Sequence, residues 1–174
     1  MKTLRIIIPL ICCAIIVYLS SGCERDDICA EDTPTTPLLI IKFINNETRL
    51  EEDTKKPNEL QVKALGFDSI LNFANNQDSI LIPLRTNASL TSFEFTINSD
   101  TTDNGGETPN TDVVSFQYTT EEDYVSSACG FKINYKGLTP SPEDENDITP
   151  WIIGIEIQEE NVTNEAAAHV FIYH

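Results

Sequence analysis

Apolar and polar residues alternate along most of the chain after residue 38, and this pattern constrains the fold more than any other feature. In the segment Ser92–Asn98, the side chains of Phe93, Phe95 and Ile97 fall on one face of an extended strand. Successive side chains of a strand point to opposite sides, so a period of two is typical of a strand with one buried face. The pattern predicts half-buried strands rather than amphipathic helices.

The same alternation recurs often enough to predict eight or nine strands. The further segments are Leu39–Phe43, Leu60–Ala64, Ile80–Leu84, Val114–Tyr118, Phe131–Tyr135, Trp151–Ile157 and His169–Tyr173. A polar loop at about residues 99–111 and an acidic loop at Ser141–Asp147 separate some of them. Many short alternating strands joined by polar turns favour an all-β fold, a single antiparallel β-sandwich with immunoglobulin-like architecture.

The first 22 residues have the parts of a secretory signal. Lys2 and Arg5 supply the positive start, and Ser20–Gly22 supply the small residues before Cys23. The apolar run Ile6–Leu19 is shorter than the roughly 20 residues that span a bilayer as a helix, which disfavours a permanent membrane helix. The ending resembles a lipobox, in which the cysteine is lipidated, although Leu19 lies one position further from Cys23 than in the usual pattern.

The chain therefore divides into a signal peptide at residues 1–22, an acidic, proline-containing tether at 23–37 and a β-sandwich domain at 38–174. Lipid on Cys23 would hold the mature protein on a membrane without a transmembrane segment. The run Arg25-Asp26-Asp27 resembles the surface-export signal of Bacteroidota lipoproteins, and a solvated tether is the alternative interpretation. Both interpretations favour the outer membrane, and the export signal favours surface exposure over a periplasmic orientation.

Acidic residues dominate the mature chain. Loss of Lys2 and Arg5 with the signal reduces 11 basic residues to 9, against 28 acidic ones. Nucleic-acid binding depends on clustered lysine and arginine, so the composition argues against a nucleic-acid partner. The expected membrane contact is through the lipid alone.

The cysteine count predicts one disulfide. Cys12 and Cys13 leave with the signal and Cys23 receives lipid, so Cys29 and Cys129 remain as a single pair. An exported protein matures in an oxidising compartment, where such a pair is expected to be bridged. Two free, buried thiols are the alternative.

Catalytic motifs are scarce in this sequence. The two histidines are His169, in a predicted strand, and His174. No nucleophile elbow, zinc-protease motif or glycine-rich phosphate loop occurs. We therefore expect a protein that is not an enzyme, with no catalytic residues and no cofactor, in which His169 is a hydrogen-bonded strand residue.

Calcium and glycans are the ligands that the sequence leaves open. The weak calcium candidates are the oxygen donors of one loop, Asp100, Asp103, Asn104 and Glu107. The EF-hand pattern fails there, because Thr111 occupies the position that needs a bidentate glutamate. The acidic run around Glu143 is a second candidate of the same kind. Tyr124, Trp151 and Tyr173 are candidates for a glycan platform, although the alternation places Trp151 on a buried face.

Several short segments together resemble a known family. They are Cys23–Cys29, Thr33–Pro37, Ile82–Thr86, Tyr124–Gly130 and Ala168–Val170. They are similar to an uncharacterised family of Bacteroidota lipoproteins, classed as a domain of unknown function, along essentially the whole mature chain. The resemblance implies location and anchorage and carries no activity, ligand or catalytic residue.

The sequence thus predicts a membrane-anchored envelope lipoprotein that is a non-enzymatic protein-binding or structural module at the outer membrane. Its expected partner is another envelope or surface protein. A surface lipoprotein that binds glycans or calcium is the alternative.

Overall fold

A computed structural model describes residues 28–71, 73, 77–100, 108–143 and 149–174. The chain divides into two compact units. The first comprises Met1–Thr33 and Ser126–Gly130, and the second comprises Pro34–Val125 and Phe131–His174. Within the described ranges, no helix is long and apolar enough to cross a membrane.

The described residues form nine strands and one short 3-10 helix, Asn46–Glu51. The strands are β1 (Leu39–Ile44), β2 (Gln61–Ala64), β3 (Ile70–Leu71), β4 (Ser79–Ile82), β5 (Leu90–Ile97), β6 (Asn110–Ser126), β7 (Gly130–Glu143), β8 (Gly154–Ile157) and β9 (Val170–Tyr173).

These strands form two sheets that pack together as a β-sandwich, which confirms the predicted fold class. One sheet has four strands in the order β4-β1-β9-β8, and the other has five in the order β3-β2-β5-β6-β7. The sequence predicts an antiparallel sandwich, and in this respect the prediction is wrong. Strands β1 and β9 run parallel, with Ile41 opposite Val170 and Phe43 opposite Ile172. Strand direction is set by the crossover between the strands, which alternation within a strand does not reveal.

The alternating residues form the core as predicted. On β1, Leu39, Ile41 and Phe43 are fully buried, and on β5 so are Phe93 and Phe95. Burial of such a side chain contributes about 1.5–3 kcal/mol, so these faces hold the two sheets together.

Trp151 is also a core residue, 8% exposed, and its indole N–H donates a hydrogen bond to the Phe95 carbonyl at 3.0 Å. Ile153 was expected to share its face, yet Ile153 is 61% exposed. Strand β8 begins only at Gly154, so the alternation does not extend back to Trp151.

The β6–β7 hairpin is longer than the sequence predicted, with 17 residues in β6 and 14 in β7. Its polar part is held by ion pairs between the strands, with Lys136 Nζ 3.4 Å from a Glu121 oxygen and Lys132 Nζ 3.7 Å from an Asp123 oxygen. Such cross-strand pairs stabilise a sheet without apolar alternation. The acidic loop expected from Ser141 therefore begins as strand, because β7 continues to Glu143.

Candidate binding site

A pocket is lined by residues of β2, β3 and β5 and by the segment that follows β4. Strand β3 ends the five-stranded sheet, and the segment after β4 follows the end strand of the four-stranded sheet. The pocket has a volume of about 280 Å³. Its apolar wall is formed largely by Ala64, Leu65, Phe67, Leu71, Leu84 and Phe93. We call this feature the edge pocket.

Arg85 is the one charged side chain among the residues that line the edge pocket. Its guanidinium carbon lies 5.4 Å from the centroid of the Phe67 ring, within the range of a cation–π contact. Among the described residues, no carboxylate forms an ion pair with Arg85. The pocket thus combines an apolar wall with a single positive group.

Large apolar side chains around the pocket are half exposed. The exposed fractions are 45% for Leu65 and 50% for Phe67, both of which line the pocket. Gly66, between them, has a φ of +84°, a left-handed conformation that glycine adopts without steric penalty. The turn is closed by a hydrogen bond of 3.1 Å from the Phe67 N–H to the Ala64 carbonyl. This turn places two large apolar side chains beside the pocket mouth.

The backbone of Arg85 is fixed by a closed ring of hydrogen bonds. The Arg85 N–H donates to Thr91 Oγ1 at 3.0 Å, and the Tyr118 hydroxyl donates to the Arg85 carbonyl at 2.8 Å. The Thr91 and Tyr118 hydroxyl oxygens lie 2.5 Å apart. Because the Tyr118 hydroxyl donates its proton to the Arg85 carbonyl, the Thr91 hydroxyl is the donor in the bond between Thr91 and Tyr118. Arg85 is therefore an exposed cation on a fixed backbone.

A second tyrosine secures the neighbouring residue. The Tyr135 hydroxyl donates to the Leu84 carbonyl at 3.0 Å, and the Tyr118 and Tyr135 rings meet edge-to-face with centroids 5.0 Å apart. Burial raises the pKa of Tyr118, and burial together with the nearby Tyr118 raises the pKa of Tyr135 to about 12. Both hydroxyls thus remain protonated donors at neutral pH.

The predicted lipidation residue, Cys23, and the predicted export signal, Arg25, Asp26 and Asp27, lie outside the described residues. Both cysteines of the predicted pair are among the described residues. The sulfur atoms of Cys29 and Cys129 are 2.08 Å apart, within the first unit. This distance agrees with the pairing that the cysteine count predicts.

The calcium candidates are only partly described. The Asp100 N–H donates to a Glu59 carboxylate oxygen at 3.3 Å, whereas Asp103, Asn104 and Glu107 lie outside the described residues. Within the part of the chain that the structure describes, no three histidine, cysteine, aspartate or glutamate side chains form a metal-binding group. In the second acidic run, Glu143 accepts a hydrogen bond from the Ser115 hydroxyl.

Both ring nitrogens of His169 bind backbone groups. Its Nδ1 accepts from the Ile40 N–H at 3.0 Å, which makes Nε2 the donor to the Asn164 carbonyl at 3.0 Å. The residue is 3% exposed, and this burial lowers its pKa. His169 therefore ties the segment before β9 to β1 as a neutral side chain.

The three candidate residues for a glycan platform do not share one exposed surface. Trp151 and Tyr173 are buried, and the Tyr173 hydroxyl donates to a Glu156 carboxylate oxygen at 3.0 Å. Tyr124 is 57% exposed and meets Phe131 edge-to-face, with centroids 5.3 Å apart.

Sequence reasoning missed the edge pocket, because its walls come from segments that are distant in the chain. One local signal was present. Leu65-Gly66-Phe67 places two large apolar residues around a turn glycine, where a polar turn is the usual expectation.

The edge pocket and the two sheets define an all-β protein with a preformed apolar recess. Its sequence matches the family of unknown function DUF6452 over residues 59–174, and the chain belongs to that family. The matched range contains every residue that lines the pocket and is shorter than the mature chain that the predicted resemblance covered. Comparisons with curated proteins and with solved structures gave no match.

Proposed function

We propose that this protein is a lipid-anchored envelope protein whose β-sandwich is a non-enzymatic binding module for another envelope or surface protein. The anchoring part rests on the signal-like residues 1–22 and on Cys23. A cysteine pair at disulfide distance suits an exported protein, because disulfides persist in oxidising compartments. The family match adds no activity, and the resemblance to Bacteroidota lipoproteins supports the outer membrane as the location.

The observation that carries the binding role is the edge pocket with its half-exposed apolar surroundings. Leu65 and Phe67 are each close to half exposed, and both line the pocket. Contiguous exposed apolar surface beside a recess typically marks a binding site. A glycan site receives less support, because Trp151 and Tyr173 are buried.

Photo-crosslinking in cells tests the binding role. Phe67 would be replaced by p-benzoylphenylalanine, and Phe131, which is 63% exposed and does not line the pocket, would be replaced in a matched control strain. We expect a light-dependent product with one discrete protein from position 67 and no such product from position 131. Identical products from both positions, or none from position 67, would contradict the proposal.

Two measurements test the anchoring. A Cys23→Ala variant should lose lipid labelling and be released from membranes, and retention of an unlabelled chain would refute the lipid anchor. Protease treatment of intact and lysed cells then assigns the orientation. Digestion of intact cells is expected if Arg25-Asp26-Asp27 directs surface export, whereas digestion only after lysis would indicate a periplasmic orientation.

Mass mapping under non-reducing conditions tests the cysteine pair. Cys29 and Cys129 should appear in one linked peptide pair. Two thiols that react with an alkylating reagent in the native protein would show that the bridge does not form.

A further inference from the structure

We propose that the edge pocket recognises an extended peptide segment of the partner in which one large apolar side chain lies next to a single carboxylate. This inference rests on the proposed binding role of the pocket and specifies what the pocket selects. Three properties of the pocket support it, namely its size, its charge and its position at the edge of the sheet.

The size of the pocket suits one anchoring side chain rather than a large ligand. Its volume of about 280 Å³ lies at the lower end of the range of about 300–1,000 Å³ that is typical of small-molecule sites. The wall around Leu71, Leu84 and Phe93 is apolar, so an aromatic or leucine side chain is the matching occupant. Such an occupant would leave the half-exposed Leu65 and Phe67 available to the rest of the partner segment.

The charge of the pocket selects an anionic group. Arg85 is the one charged lining residue in a chain with a formal net charge of −17. Among the described residues, no carboxylate lies within ion-pair distance of this guanidinium. An arginine on a fixed backbone is suited to charge-assisted hydrogen bonds with a carboxylate.

The strongly acidic composition of this protein also favours a partner segment that carries only one carboxylate. A segment with a run of acidic residues would be repelled by the overall negative field of the protein. A single acid beside an apolar anchor gains the local contact with Arg85 and experiences less of that repulsion.

The position of the pocket suits an extended backbone. Strand β3 pairs with β2 on one side, and within the described residues no strand pairs with its other side. Ser69 and Leu71, on either side of Ile70, line the pocket. An added peptide can therefore reach the recess while its backbone lies along this edge of β3, a common mode of peptide recognition.

Peptide selection tests this inference on the full lipidated chain in lipid nanodiscs. A phage-displayed library of random peptides would be selected on the wild type after subtraction on empty nanodiscs. We expect enrichment of a large apolar residue with aspartate or glutamate within two positions. In a synthetic peptide from the selection, replacing that acid by its amide should weaken binding at least about tenfold, as expected for a lost charge-assisted hydrogen bond.

Three variants make the test specific to the pocket. Selection on Arg85→Glu should lose the preference for acids and favour lysine or arginine. Lys56→Glu, which changes the net charge equally at an exposed residue outside the pocket, should keep the wild-type preference. Ala64→Leu fills the recess and should abolish the apolar preference, provided that its thermal unfolding resembles that of the wild type.

The outcomes separate this inference from the proposed function. Apolar enrichment without acids, or an unchanged preference in Arg85→Glu, would overturn the inference and leave the binding role intact. Absence of any enrichment, together with no crosslink from position 67, would overturn both. Binding of octanoate that depends on Arg85, with no enriched peptide, would show that the pocket takes a small amphiphile and would overturn the peptide assignment.

Discussion

The two edges of the five-stranded sheet differ in how they are covered. At the β7 edge, Tyr135 and Val162 exchange backbone hydrogen bonds of 3.0 and 2.9 Å, and the Leu138 N–H donates to the Glu160 carbonyl at 2.8 Å. At the β3 edge, within the described ranges, no strand takes the corresponding place. Residues 160–162 therefore cover the β7 edge, whereas the edge pocket lies beside β3, where no described residue provides such a cover.

The β7 edge shows that a segment of the same protein can cover an edge of this sheet. Val162 is fully buried on the covered side, whereas Leu65 and Phe67 remain half exposed beside β3. An uncovered apolar edge favours unwanted pairing with other chains, so proteins generally protect such edges. Contact with a partner is thus expected at the β3 edge.

The largest expected effect compares the same substitution at both edges. Val162→Asp would place an unpaired charge in the core and should lower the free energy of unfolding by about 3–5 kcal/mol. Leu65→Asp places the same charge on a side chain that is 45% exposed, and its effect should stay within about 0.5 kcal/mol. Denaturant unfolding of the two variants measures the difference. Similar losses from both would show that the two edges are equally buried.

A smaller effect is expected from the ring of hydrogen bonds behind the pocket. Tyr118→Phe removes the donor to the Arg85 carbonyl and the acceptor of the Thr91 hydroxyl, and it should lower the free energy of unfolding by about 1–2 kcal/mol. Tyr124→Phe is the control at a tyrosine that is 57% exposed, where water can replace a contact of the hydroxyl and a change below about 0.5 kcal/mol is expected. Equal changes in the two variants would argue against a fixed Arg85 backbone.

The smallest effect is a dependence on pH at His169, whose Nε2 donates to the Asn164 carbonyl two residues after the segment 160–162 that covers the β7 edge. Burial lowers the pKa of His169, so the unfolded chain binds a proton below about pH 6.5 while the folded protein does not yet do so. The contribution of His169 to stability is therefore fully present above that pH and is lost as the pH falls through the folded pKa. Its loss is at most about 1.4 kcal/mol per pH unit.

Unfolding measured between pH 8 and pH 5 checks this expectation. Burial lowers the pKa of His174 as well, so a His174→Gln variant isolates the share of His169. That variant should still lose stability in acid, and a His169→Gln variant should show a flatter profile. A steep profile that persists in His169→Gln would assign the effect to other groups.

The sequence predicted those parts of the fold that depend on which side of a strand is buried. Leu39, Ile41 and Phe43 alternate with half-buried residues, and they are in the core for that reason. Pairing between distant strands was not predictable in the same way. The parallel contact of β1 with β9 depends on the path of the intervening chain, which no local period encodes.

The candidate site was less predictable than the fold. Arg85 becomes distinctive only through the apolar residues that surround it, and those residues belong to β2, β5 and the turn around Gly66. Most of the acidic residues that stood out in the sequence, among them Asp103 and Glu107, lie outside the described residues, and the described part of the chain holds no metal-binding group. A charge run is conspicuous in a sequence, whereas a single cation against an apolar wall is visible only in three dimensions.

The parallel pairing of β1 and β9 has a consequence for the order of folding. Both strands lie in the middle of their sheet, between β4 and β8, although about 130 residues separate them in the chain. A partly synthesised chain therefore lacks the central strand of that sheet until residues 170–173 exist. Assembly of that sheet must await residues 170–173, so the domain is expected to gain its structure in one cooperative step once these residues are present, and not gradually as the earlier strands are made.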